Sequence, residues 1–401
     1  MRPNDFIRRF SQPVPAEGDP DPAPGNVGVL STTTALIVIA LYTWYPVLPV
    51  VLQRRGADRL EVSAVYTLIG IAGSALQIYG GHLADRFGRK PVLALPTFAA
   101  GILYVVAFLS SSWQLLAGAL VLLNLTGAIQ SPSFVAITAE SVRPHRRAQA
   151  FSTFQFAVSL ATLVGPALGA ALLPSVDVRW LIGATALATL SAAAMRQKFL
   201  QEVHTATVAR APLRIKEAFS GRLRGVTIAS TAFLLVASLT VNGPFIALYA
   251  HNDGHLAASQ VNLLYSLGWI PAVLLSFRLG RRISALGSSR ALAIGVAGHL
   301  GLLGLWLLLR GFLPMVLVLM ASFLFYQMAL ISFGTLRIEM VSPEKAGAAL
   351  GVIGTVSGLA AALGPVVAGA AAGAFGPLAA FGLAGVAGVW TLLSLRGMAR
   401  A

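Results

Sequence analysis

The run from Gly81 to Pro91, GHLADRFGRKP, sets one carboxylate and three cations among two glycines. Asp85, Arg86, Arg89 and Lys90 at this spacing can pair with one another and with helix ends, but they form no nucleophile–base couple. Gly81 and Gly88 permit a tight reversal and close helix approach. Asp85, at a helix end, can cap the N-terminus of a neighbouring helix, where the dipole favours negative charge. Arg89 can bridge to Glu140 or back to Asp85. The chain has no cysteine, which removes disulfides, thiolate zinc sites and thiol nucleophiles. No G-x-x-x-x-G-K-[ST] phosphate loop exists to drive a pump. No metal-ligand pair stands out, so no cofactor and no enzyme activity are expected.

These residues must be carried by elements that live in lipid. The 401 residues are 56% hydrophobic and 11% charged, where a soluble protein is about 25% charged. Mean hydropathy is +0.77. The net charge of +15 comes from only 14 acids against 29 bases, clustered between apolar runs, and so does not indicate a nucleic-acid partner. Twelve runs are long enough to span a bilayer, at about 28–52, 61–81, 91–110, 114–139, 149–173, 179–195, 225–249, 260–279, 290–310, 314–337, 346–372 and 376–396. Residues 1–27 read as a disordered tail and not as a signal peptide. With the N-terminus inside, 24 of the 29 Lys and Arg fall on the cytoplasmic side. That predicts both termini to be cytoplasmic. The stretch 196–224 carries seven bases, including Arg214 and Lys216. It reads as a cytoplasmic linker between halves 28–195 and 225–396, compatible with an amphipathic helix on anionic lipid.

The halves superpose with a constant offset of 199 residues. Gly81 and Gly88 fall on Gly280 and Gly287, Glu140 on Glu339, and Gly165 and Pro166 on Gly364 and Pro365. Six runs separate equivalents, so both halves keep one membrane orientation. The fold expected is all-α, with twelve transmembrane helices in two pseudo-symmetric six-helix bundles and substrate near the midplane.

The Gly81–Lys90 run resembles the signature loop of the major facilitator superfamily, G-x-L-x-D-R-x-G-R-K, and matches it at Gly81, Leu83, Asp85, Arg86, Gly88, Arg89 and Lys90. With the twelve runs and the repeat, the resemblance covers residues 28–396. It implies that Asp85, Arg89 and Glu140 lock the halves together when the cavity opens outward, with the start of helix 11 as partner. The second copy, GRRISALGSSR, has Ser284 for Asp85 and Ser288 and Ser289 for Arg89 and Lys90. Its lock is degraded, and Glu339 is free to pair with Arg281, Arg282 or Arg290. Ala161–Ala170, ATLVGPALGA, looks like the antiporter motif of drug exporters at Gly165, Pro166 and Gly169. Small residues there could bring helices into contact.

The resemblance also implies that helices 1, 4, 7 and 10 line the cavity, flanked by 2, 5, 8 and 11. Polar groups on such helices should face the interior. The candidates for substrate contact are Tyr42, Tyr45, Asn124, Gln130, Asn242, Tyr265, Tyr326 and Gln327. Amides and aromatics without charge suit neutral or amphiphilic solutes. No Asp, Glu, Lys or Arg lies deep in a span, so proton coupling lacks its usual buried carboxylate. Glu61, Asp85, Glu140 and His299 remain as proton carriers. The expectation is a plasma-membrane (inner-membrane) secondary transporter, a monomer exporting small amphiphilic or drug-like molecules, with protons as candidate coupling ion. The alternative is a facilitator or symporter of a neutral metabolite such as a sugar.

Overall fold

The computed structural model describes residues 21–143, 146–203, 221–339 and 346–400. Helices fill it, and no strand occurs among the described residues. In chain order they are α1 Gly25–Tyr42, a 3-10 turn Tyr45–Val47, α2 Leu48–Arg54, α3 Arg59–Ala75, α4 Gln77–Phe87, α5 Arg89–Leu109, α6 Trp113–Glu140, α7 Arg147–Leu172 and α8 Val178–Phe199. There follow α9 Gly221–Leu239, α10 Phe245–Asn252, α11 Ala258–Leu274, α12 Ser276–Leu286, α13 Ser288–Trp306, α14 Phe312–Glu339, α15 Ala346–Ala362, α16 Gly364–Phe375 and α17 Leu378–Arg400. Leu95 and Leu187 expose 67% and 69% of their surface. Helices apolar on their outward faces as well as their inward ones require an apolar solvent.

The 199-residue repeat reappears in the backbone. α3, α4 and α6 begin and end 199 residues before α11, α12 and α14. Gly88 and Gly287, both at φ above +80°, close the equivalent turns after α4 and α12. The pair Gly56 and His255 also shares positive φ at the same offset. Asp58 caps α3: its Oδ1 accepts from Glu61 N at 2.7 Å, and Glu61 Oε2 accepts from Asp58 N at 2.8 Å. Ala257 keeps half of that box, donating its N–H to Gln260 Oε1 at 2.9 Å. Glu61 is thereby committed to capping.

Nine segments among the described residues are long and apolar enough to cross a membrane, ten if α11 and α12 count as one. The expected runs 61–81, 225–249 and 260–279 are broken in the structure. Leu76 separates α3 from α4, and Leu275, its repeat partner, separates α11 from α12. Pro271 precedes the second break, but its counterpart is Ala72, so proline is not the shared cause. What the two breaks share is departure from the opposite set. α3 packs on α15 and α16 as well as on α6, and α11 on α7 as well as on α14, whereas α4 packs chiefly on α5 and α6 and α12 on α13 and α14. The run 225–249 breaks between Leu239 and Phe245, where Pro244 has no N–H to donate. A Cβ on Gly243 would lie 2.1 Å from the Ser238 carbonyl, so this turn requires glycine.

Helices of residues 25–199 pack chiefly on one another, as do those of 221–400. The two sets meet where α11 lies on α7 and where α15 and α16 lie on α3. α1 begins beside the ends of α6 and α8: Asn26 Nδ2 donates to Ser141 Oγ and Gln201 O, each at 2.9 Å. This side is called the terminal face, and the opposite side the far face. The chain is ordered earlier than expected for a tail: Asp21 already pairs with Arg146 at 2.6 Å, and α1 starts at Gly25. Residues 1–20 and 204–220, the latter including Arg214 and Lys216, lie outside the described residues.

Candidate functional site

A central cavity of about 430 Å³ opens between the two helical sets. Tyr42, Tyr45, Tyr66, Gly73, Ser74 and Asn124 line it from the first set. Ser238, Asn242, Tyr265, Trp269, Gly358 and Pro365 face them from the second. None of its lining residues is charged. Tyr42 and Tyr45 lie 6.1 Å apart in the wall, and Phe323 braces Trp269 from behind in a tilted contact at 4.9 Å. Asn124 spends its Nδ2 on the Leu120 carbonyl at 2.9 Å. Its Oδ1 remains as an acceptor beside Gly73.

Five of the eight expected contact residues, Tyr42, Tyr45, Asn124, Asn242 and Tyr265, reach this cavity; Gln130, Tyr326 and Gln327 do not line it. Tyr326 is buried between Phe233, Trp269 and His299. Gln130 serves Arg196. That arginine, expected in a solvated linker, sits on α8 only 3% exposed. Its guanidinium donates to Thr33 at 3.0 Å, Thr34 at 2.9 Å, Thr97 at 2.8 Å and Gln130 Oε1 at 3.4 Å, and lies over the Phe134 ring. Arg196 does lie within the last turn of its helix, but it is buried there and belongs to α8 rather than to the linker that the sequence predicts. A planar five-donor group can join four helices at once in this way.

At the terminal face Arg89, 6% exposed, pairs with Glu140 at 3.6 Å as expected. The Asp85 side chain lies outside the described residues, while its backbone belongs to α4. Arg86 and Lys90 flank the Gly88 turn, Arg86 over the Phe87 ring. The cap of α5 is Glu202, which the sequence had assigned to the linker. Glu202 Oε1 accepts from Arg89 N at 2.9 Å and Oε2 from Lys90 N at 3.0 Å. The close approach credited to Gly81 belongs to its neighbour. A Cβ on Gly80 would lie 2.4 Å from Ile129 O, whereas one on Gly81 would meet open space. In the second copy Glu339 accepts from Ser288 Oγ and not from Arg281, Arg282 or Arg290. Removing the Glu202 cap, as Glu202→Ala, is expected to cost about 1 kcal/mol. A thermal melt of the purified variant measures this loss.

The far face carries a polar seam between the sets. Arg59 meets Asp253 at 4.0 Å, and Asn252 Nδ2 donates to Gln53 Oε1 at 3.1 Å. Asn262 Nδ2 donates to Thr43 O at 2.5 Å, Ser266 Oγ to Leu163 O at 2.8 Å, and Val366 N to Thr67 Oγ1 at 3.0 Å. Small residues let the sets touch. A Cβ on Gly369 would lie 2.4 Å from Ser63 Oγ, and one on Gly169 2.3 Å from Asn262 Nδ2. Ser63 and Asn262 are repeat equivalents, as are Thr67 and Ser266, so both halves contribute the same positions to the seam. Gly165 presses on Tyr42 and Gly364 on Leu235 and Ser238, again in equivalent places. Pro166 stays within α7, while Pro365 opens α16 after a break at Leu363.

Apolar helices around an uncharged cavity define a multi-pass integral membrane protein with an internal cavity between two helical sets. The chain belongs to the Major Facilitator Superfamily, whose sequence model matches residues 30–325. Multidrug resistance protein MdtH of Klebsiella pneumoniae subsp. pneumoniae is 29% identical over 181 residues, 45% of this chain and 44% of that one. The match thus spans less than half the length of that relative. A Na(+), Li(+), K(+)/H(+) antiporter of Planococcus maritimus is 31% identical over 103 residues, 24% of each chain. The crystal structure of the nucleoside transporter NupG shares the fold at a TM-score of 0.77, covering 94% of this chain and 99% of that one at 14% identity.

Proposed function

We propose that this protein exports small amphiphilic or drug-like molecules by alternating access, with protons as the coupling ion. The observation that carries the reading is the cavity itself: uncharged, aromatic, and walled by both repeats, with α1 facing its equivalent α9 and α3 its equivalent α11. Each broken pair then counts as one span: α1 with α2, α3 with α4, α9 with α10, α11 with α12, and α15 with α16. With the seven unbroken helices this makes twelve spans, in bundles 28–195 and 225–396. The balance of Lys and Arg places the terminal face in the cytoplasm of an inner membrane. The seam at the far face then corresponds to an inward-facing conformation. Asp85, Arg86 and Lys90, with the Arg89–Glu140 pair, form the cytoplasmic lock of the opposite conformation. The name of the Klebsiella relative, a multidrug resistance protein, supports the drug-like substrate class.

The test is flux into liposomes that enclose a pH-sensitive dye, under an imposed proton gradient. Tetraphenylphosphonium, a neutral aromatic drug and a sugar are each supplied. Saturable uptake of either aromatic compound with counter-movement of protons is expected. Sugar flux alone would favour the neutral-metabolite alternative. The cavity assignment has its own test. Asn124→Ala removes one cavity acceptor and is expected to raise KM about 2- to 12-fold, the worth of one hydrogen bond. Gln130→Ala should leave KM within about twofold and lower thermal stability instead, because that amide serves Arg196.

A further inference from the structure

We propose that His299 is the proton-binding residue of this transporter, and that Thr240 ties it to the break between α9 and α10. The inference rests on the alternating-access reading. His299 lies on α13, 1% exposed, away from the cavity wall. Nε2 faces Thr240 Oγ1 at 3.1 Å. Nδ1 faces Ser322 Oγ at 2.8 Å and the Ser322 carbonyl at 3.2 Å. Thr240 Oγ1 also donates to Val236 O at 2.8 Å, which leaves it an acceptor toward the ring.

This shell satisfies the imidazole in both charge states. In the neutral ring Nε2–H donates to Thr240, and Ser322 Oγ–H donates to Nδ1. When a proton arrives, Nδ1–H turns to the Ser322 carbonyl, and the Ser322 hydroxyl turns to the His299 carbonyl 3.2 Å away. One hydroxyl rotation therefore accommodates the added proton without an orphaned donor. A histidine packed for shape alone has no need of a second complete bond set.

The added charge has no counter-ion. The titratable group facing the ring from α14 is the Tyr326 phenol, centroids 5.2 Å apart. From α9 the facing residue is neutral Thr240, and α17 presents Gly388 to Leu300 and Val296 on α13. Glu339 bonds Ser288 at the start of α13, eleven residues or roughly 16 Å away, and Arg290 belongs to the same turn. Arg337 lies over the Phe333 ring and beside Gly354 of α15, and Arg281 and Arg282 belong to α12. Arg310 lies a similar distance beyond the other end, bonded to Tyr249. A proton here thus charges a dry site, and the protein lowers that cost by repacking around the ring.

The element placed to repack is the break itself. Thr240 is its first residue, and Asn242, two residues on, lines the cavity and pairs with the Tyr326 phenol. Trp269 joins the cavity wall to Tyr326 at 6.1 Å. Proton uptake and substrate binding therefore act on the same hinge, and the protonated form favours the conformation with the far face open.

The cysteine-free chain allows a direct test. Spin labels on Arg54→Cys and Ala257→Cys, exposed on the two sides of the far-face seam, report its opening in lipid nanodiscs. Between about pH 8 and about pH 5 the ratio of long to short distances is expected to rise at least about fivefold. His299→Gln should abolish that rise. Ser322→Ala keeps the imidazole but loses the donor of its neutral form, so the rise should persist with its midpoint at higher pH. An equal rise in His299→Gln would assign the titration to another group, such as His82, His145, His204, His251 or His255, and overturn the proposal. A pH-insensitive parent or an unmoved midpoint in Ser322→Ala would overturn it as well. Gly369→Leu, which wedges α16 away from Ser63 at any pH, separates the two levels. If it too leaves the distances unchanged, the alternating-access reading fails, independently of His299.

Discussion

Gly169→Val is expected to destabilise the protein by about 3 kcal/mol or more, lowering the melting temperature on the order of 5–10 °C. A Cβ at this position would stand 1.9 Å from the Thr43 carbonyl oxygen and 2.6 Å from its carbon. Both are backbone atoms of the same helical set, where the first span breaks before Tyr45. A flexible side chain could swing away, but this carbonyl cannot without moving the turn. The same carbonyl accepts from Asn262 of the other set, so displacing it also breaks a seam bond. Because Thr43 and Gly169 belong to one set, the clash persists in every conformation of an alternating-access cycle. The expected signature is loss of stability at all pH values and in the presence of substrate. A melting temperature equal to that of the parent would show that α7 and the α1 turn part easily.

How far the sequence foretold this structure depends on whether a feature was local. The 199-residue offset, found from a few glycines, acids and prolines, anticipated helix boundaries in both halves, because those residues make the turns and caps themselves. Gly88 and Gly287 show why: each turn needs positive φ, which only glycine adopts without strain. Arg89–Glu140 was legible because both ends of the pair belong to the motif's own level. The misses are long-range. Glu202 caps α5 from 113 residues away. Arg196 gathers Thr33, Thr97 and Gln130 from three other helices. No local pattern encodes either. Gln130, Tyr326 and Gln327 were misplaced for a different reason. Helices apolar nearly all round carry no signal for which face looks inward. A polar residue on the correct helix therefore had to be guessed to face the cavity. The breaks at Leu76 and Leu275 were invisible because they fall where α3 and α11 leave the opposite set, a long-range event that no local pattern encodes. The seam pairs Ser63 with Asn262 and Thr67 with Ser266 did have a sequence signal, since each pair is polar at one repeat position within an apolar run.

Gly369 meets Ser63 as Gly169 meets Asn262, the repeat partner of Ser63, yet the outcome expected for Gly369→Leu differs in kind. The atoms a Cβ would meet are Ser63 Oγ at 2.4 Å and Ser63 Cβ at 2.5 Å, on a helix of the opposite set. The nearest backbone atom, Arg59 O, is 3.6 Å away, at ordinary contact distance. The overlap can be relieved by separating α16 from α3 as whole bodies, with each set left intact. Overpacking of this size costs about 1–3 kcal/mol. If that cost is felt only while the far face is closed, it shifts the equilibrium toward the open form about 5- to 150-fold. Stability should change little, since the open form carries no clash. Distances between labels at Arg54→Cys and Ala257→Cys should lengthen at neutral pH without substrate. Transport by this variant is expected to fall, because a carrier held on one side completes few cycles. Gly369→Ala should show the same shift in smaller measure, since Ser63 can rotate its hydroxyl away from a single methyl. Unchanged label distances together with a lowered melting temperature would show the reverse: that α16 and α3 stay together throughout, and that the seam is a permanent core rather than a contact made and broken in each cycle.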